Sequence, residues 1–151
     1  MAWGARDDTP GRWKVASRVC GRKLRLQHRS GAVQCSVGSQ LASNFGCNNA
    51  PSVGQHVTTY LTVGKGLEYV VVPFEGDPKV TAHPSYPTWY LLSGFNSMSP
   101  YLEFDLPLTD EKSYYCFEEG TEYQLWYGED LVDWSEGNDS GTAYTDILIT
   151  S

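Results

Sequence analysis

From Val57 to the C-terminal end, apolar or alternating runs of four to seven residues follow one another at short intervals, separated by Gly, Pro and Asp turns. That rhythm predicts short strands packed as a sandwich or barrel. In VTTYLTV (57–63), Val57, Thr59, Leu61 and Val63 share one face, and Gly64-Lys65-Gly66 then supplies a hairpin turn before LEYVVVP. In YLEFDL (101–106), Leu102, Phe104 and Leu106 point one way while Tyr101, Glu103 and Asp105 point the other, as a half-buried strand requires. The runs 79–82, 88–92, 113–118, 122–128 and 144–149 bring the count to eight, with no convincing helix and no internal repeat. Ten Tyr, five Trp and fifteen Gly against two Met suit such strands better than helices. The expected fold is all-β, a jelly-roll-like antiparallel β-sandwich of about eight strands forming one domain over residues 41–151.

The charge divides the chain in two. Residues 1–40 hold eight basic side chains against two acids, an excess of +6, and the remaining 111 residues hold three against sixteen, an excess of −13. The first part has no sustained period of 2 or 3.6, so it is expected to be a basic, disordered leader, or else an arm for a polyanion or an anionic membrane. If so, deleting it should leave the stability of the remainder nearly unchanged, unless Cys20 or Cys35 pairs with Cys47 or Cys116. The acidic remainder would repel phosphate backbones, which argues against nucleic acid and favours a divalent cation. No run approaches the roughly 20 apolar residues of a membrane helix. The four cysteines lack zinc or redox spacing, and an even count in a small β domain permits disulfides and an exported setting. The pairing stays open. The N-terminus has no apolar core of a secretory signal, so an exported chain would need a start other than the one written here.

One segment is unlike the rest. Glu129 to Asp139 packs five carboxylates and an Asn into eleven residues between two strands. Repulsion among them is costly unless water screens it or a cation neutralises it, and calcium takes six to eight such oxygens. The spacing is not that of an EF-hand, and a solvated acidic turn is the alternative.

The run LWYGEDLVDWSEGNDSGTAYTDI (125–147) resembles the calcium-site segment of galactophilic bacterial lectins of the PA-IL type, in which a strand, an acidic loop and a last strand hold the ion in a small jelly roll. The resemblance implies Ca2+ held by Asp130, the Ser135 carbonyl, Asn138 and Asp139, with Gly141 at the Gly that follows. The loop is one residue longer here between Asp130 and Asn138, and Asp139 stands where the lectins have Asn. In those lectins the ion itself meets sugar hydroxyls, which implies Asp130, Asn138 and Asp139 as sugar-binding residues, with Trp134 adding an aromatic face. The same strand, loop and DSGT run also resembles secreted modules of marine invertebrates, which implies an extracellular setting. Tyr86, Trp89 and Tyr90 form a second aromatic group at a Pro-rich turn, expected chiefly as packing. Asn138-Asp139-Ser140 is an N-glycosylation sequon, and an Asn holding a buried ion could not also carry a glycan.

For catalysis the sequence offers His28, His56 and His83 without a nucleophile elbow, a zincin motif or a P-loop, and no carboxylate pair stands out. These features together predict no enzyme. They predict a secreted, calcium-dependent carbohydrate-binding module whose partners are glycans of galactose type, with homo-oligomerisation left open. The alternative is an extracellular matrix or structural protein whose acidic loop binds calcium for stability alone.

Overall fold

The computed structural model describes residues 1–35, 42–47, 56–108, 113–133, 137 and 139–151. All eight expected runs form strands: β5 Thr59–Thr62, β6 Val70–Val72, β7 Val80–Ala82, β8 Tyr90–Leu92, β9 Tyr101–Asp105, β10 Tyr115–Phe117, β11 Glu122–Tyr127 and β12 Ser140–Thr150. Four more precede them: β1 Ala2–Gly4, β2 Gly11–Lys14, β3 Val19–Gly21 and β4 Lys23–Gln34. A single helical turn, α1 Gly128–Leu131, follows β11. Two four-stranded sheets, ordered β1-β12-β4-β9 and β2-β11-β5-β6, make an antiparallel sandwich, with β3-β10 and β7-β8 as two-stranded additions. The layers meet where Trp3 of β1 faces Tyr127 of β11 at 6.3 Å between ring centroids.

The disordered leader is overturned. Among the described residues of the first forty, β4 is the inner strand of its sheet, pairing β12 from Lys23↔Thr150 to Gln34↔Ser140 and β9 from Lys23↔Asp105 to Gln27↔Tyr101. Alternation in Lys23-Leu24-Arg25-Leu26 sends both leucines fully into the core while the basic residues line the outer face. The basic excess is met by the acids of the same chain: Arg25 and Lys23 reach Glu103, Arg12 reaches Glu122, Arg18 reaches Glu118 and Arg29 reaches Asp146. The charge asymmetry thus reflects in part which strands are neighbours. Each surface pair contributes little to stability. The burial of Trp3, Leu24 and Leu26 carries the segment, at about 2–5 kcal/mol for each truncation to Ala.

Two disulfides reinforce this arrangement. Cys20–Cys116 joins β3 to β10 across 96 residues, and Cys35–Cys47 closes a short loop. By chain entropy the longer closure constrains the unfolded chain by roughly 4–5 kcal/mol. The N-terminal segment is therefore integral to the fold.

Alternation in 122–128 and 144–149 adds Leu125, Tyr127, Ile147 and Ile149 to the expected core, and Leu102, Phe104, Leu106, Leu125 and Tyr127 are buried. Ile147 and Ile149 are only half-buried, although they pack against the core. Val63 emerges at 44% exposure because β5 ends at Thr62 and the chain turns out through Gly64 and Gly66.

Candidate cation and ligand sites

β11 delivers the acidic loop. Its last residue, Tyr127, is buried, and its hydroxyl donates to the Gly46 carbonyl at 2.7 Å. Burial, and after it the charges of Asp139 and Glu129, push the Tyr127 hydroxyl well above its ordinary pKa. Gly128 then donates its N–H to the Thr58 carbonyl at 2.7 Å, in a space where a Cβ would lie 2.7 Å from that of Thr88. With no side chain at 128 the loop can press against the Thr88 turn, and α1 turns inward.

The consequence is three buried acids in one loop: Glu129 at 5%, Asp130 at 0% and Asp139 at 1% exposure. Asp130 accepts the N–H groups of Asp8 and Thr9, at 3.0 and 3.2 Å, on its two oxygens. Arg6 reaches across from the same N-terminal loop to the Gly137 carbonyl at 2.8 Å. The N-terminal segment thus clamps the acidic loop. Asp7, Asp8 and Asp133 have positive φ values of 64°, 51° and 54°, a region that short acidic side chains tolerate better than most.

The clamp assembles a group that sequence spacing did not suggest. Asp8, Asp130 and Asp133 each bring a carboxylate oxygen within 4.8 Å of the others. Lys65, at the β5–β6 turn, puts its ammonium 2.5 Å from Asp8 and 3.1 Å from Asp133. The Asp8 hydrogen bond first, and Asp133 after it, hold that ammonium above its ordinary pKa. Three carboxylate donors suit a hard, oxygen-seeking cation such as calcium, and an internal ammonium now balances two of them.

Of the expected ligands, Asp130 belongs to this group and Asp139 does not. Asp139 is turned inward and buried, on the side of the Glu129 carboxyl. Burial raises the Glu129 pKa above its ordinary value, while Asp139 and the Trp89 indole, which donates to Glu129 at 3.4 Å, work in the other direction. Trp134, Ser135 and Asn138 lie outside the described residues. Sequence reasoning missed Asp8, Asp133 and Lys65. The signals were present, in an Asp-Asp pair inside a basic stretch and in a Lys between two turn glycines.

The second aromatic group divides. Trp89 and Tyr90 are buried packing residues, as expected, whereas Tyr86 is exposed. It lines a cleft of about 570 Å3 between the 67–77 segment and the 82–90 turn.

No protein-family model matches the sequence, and no curated protein matches it. Among solved structures it is similar to AJLec, a lectin from the sea anemone Anthopleura japonica, with a TM-score of 0.82 at 22% identity over 99% of this chain and 92% of that one. The fold is shared with AJLec. Since the likeness to AJLec spans 99% of the chain, it takes in the N-terminal strands as well.

Proposed function

We propose that the protein is an extracellular carbohydrate-binding module whose Asp8-Asp130-Asp133 group takes a calcium ion. The observation that carries this reading is the convergence of three carboxylates from chain segments more than a hundred residues apart, at a loop in a lectin-like sandwich. The fold shared with a lectin supports glycans as the ligand class, and the two disulfides support an exported setting, because such bonds persist in oxidising compartments. Asp130 would be the buried anchor. Asp8 and Asp133, both exposed, would be the ligands that face solvent, and with Lys65 displaced their carboxylates would be open to the ion. Calcium there would supply positive charge to polarise sugar hydroxyls. The chain's own contribution is to hold Asp130 rigid through the Asp8 and Thr9 amides.

The test pairs a calcium titration, read by thermal unfolding, with a glycan array run with calcium and then with chelator. A ligand that binds only the folded state stabilises it by RT ln(1 + [L]/Kd), about 2.7 kcal/mol at a hundredfold excess. Calcium stabilisation together with chelator-sensitive glycan binding is the expected result. Stabilisation with no glycan bound would favour the structural reading, in which the ion fastens the N-terminal clamp. A melting temperature indifferent to calcium would leave Lys65 as the group's permanent counter-ion.

A further inference from the structure

The cleft beside Tyr86 belongs to none of the chemistry above, and its lining is selective. Of the side chains that form it, Glu68, Glu75 and Asp77 are acidic, and none is Lys or Arg. An anionic ligand would meet three carboxylates there and no Lys or Arg to offset them. Nor is it built for a metal: no three His or acidic groups of the cleft approach within 4.8 Å of one another among the described residues. Its volume of about 570 Å3 falls in the range of small-molecule sites.

Two features give it a ligand chemistry. The first is a fixed aromatic surface. Tyr86 is 41% exposed, and its ring lies 4.5 Å from that of His83 at 32°. His83 is itself locked, because its Nδ1 accepts the N–H groups of Ser85 and Tyr86 at 3.0 and 2.9 Å. In the neutral ring this leaves Nε2 as the N–H donor. The second is an acceptor without a donor. Asp77 is 4% exposed and accepts the Lys79 N–H on Oδ1 at 3.0 Å, while its buried Oδ2 has no hydrogen-bond partner among the described residues. A buried carboxylate oxygen left unpaired costs stability, so the site favours a ligand that brings a hydroxyl to it.

We infer that this cleft is a binding site for a neutral saccharide unit, separate from the cation group and independent of calcium. The apolar face of a pyranose would lie on Tyr86, and its hydroxyls would donate to Asp77 and the neighbouring acids and accept from His83. Acids and aromatic rings also attract organic cations, so an ammonium ligand is the rival occupant. The ligand class is argued from the cleft's own lining and stands apart from the reading of the acidic loop.

The experiment is a set of amide chemical-shift titrations of the disulfide-bonded protein in chelator. The probes are methyl galactoside, methyl glucoside, methyl mannoside, methyl N-acetylglucosaminide, sialyllactose and choline, each added alone. At least one neutral glycoside is expected to shift the amides of Asp77, His83 and Tyr86 and to saturate. Tyr86→Ala, at an exposed position, should weaken that binding about tenfold, which is about 1.4 kcal/mol. Asp130→Asn should leave it unchanged even though it abolishes any calcium response, so the two sites can fail separately. The inference is overturned if no neutral glycoside moves these amides up to about 10 mM, ten times a weak ~1 mM Kd. It is equally overturned if choline alone moves them, or if Tyr86→Ala binds as the wild type does.

Discussion

The acidic loop and the Tyr86 cleft lie on either side of one turn, and they treat their carboxylates in opposite ways. Around the loop, Asp8, Asp130 and Asp133 are drawn to within 4.8 Å of one another, and Lys65 sets its ammonium against two of them. In the cleft three acids stand among aromatic side chains, with His83 but no Lys or Arg in the lining. The first arrangement answers to a point charge. The second answers to a ligand with several weak donors and an apolar face. The wall between them is the Thr88 carbonyl, which accepts the hydroxyls of both Thr58 and Tyr60, at 2.9 and 3.0 Å, with Gly128 packed against the same turn.

The largest effect should come from Asp130→Ala. It removes the acceptor of two backbone N–H groups from a fully buried position, and at about 1.5 kcal/mol for each charge-assisted bond the loss in urea denaturation should be about 3 kcal/mol. The calcium response should vanish with it while cleft binding persists. Loss of cleft binding as well would mean that the two regions are one site.

Gly128→Ala attacks the shared wall instead. A methyl group there must displace the Thr58 and Thr88 side chains, at about 2 kcal/mol by the usual cost of overpacking, and it should disturb both regions together. Crosspeaks of Tyr86 and Asp133 should both move. Movement confined to the loop would show that the wall is not shared.

A smaller effect concerns pH. Burial holds the folded pKa of Glu129 above its ordinary 4.5, so above that pH the folded state keeps a proton that the unfolded chain has released. Stability must then decline as pH rises from about 4.5 through the folded value. Glu129→Gln should flatten that decline, measured as urea midpoints in chelator across the acid range. An unchanged slope would mean that the Glu129 carboxyl is charged in the folded protein.

The smallest change in stability and the sharpest in ligand response is expected of Lys65→Met. The ammonium is exposed, so folding should shift by less than about 0.5 kcal/mol. Removing the internal counter-ion should nevertheless tighten calcium binding several-fold, as read by isothermal titration. Weaker binding would contradict competition between Lys65 and the ion.

How much of this was written in the chain can be traced residue by residue. Period-two alternation put Leu102, Phe104 and Leu125 in the core, because an antiparallel strand with one buried face can satisfy only one register. The same alternation was present in Leu24 and Leu26, but four basic side chains within eight residues, Arg22 to Arg29, masked it. Their partners Glu103 and Asp146 lie more than seventy residues away, and no local pattern names them. The density of acids at 129–139 marked the loop as special for a local reason, mutual repulsion. Which acids converge was decided elsewhere. Asp139 turned in toward Glu129, while Asp8, Asp133 and Lys65 were brought together by the clamp and the β5–β6 turn. Strand identity follows from neighbours one and two residues apart, so the sequence by itself could determine it. The sites depend on side chains that meet only after the sheets have paired, and that pairing belongs to the tertiary structure alone.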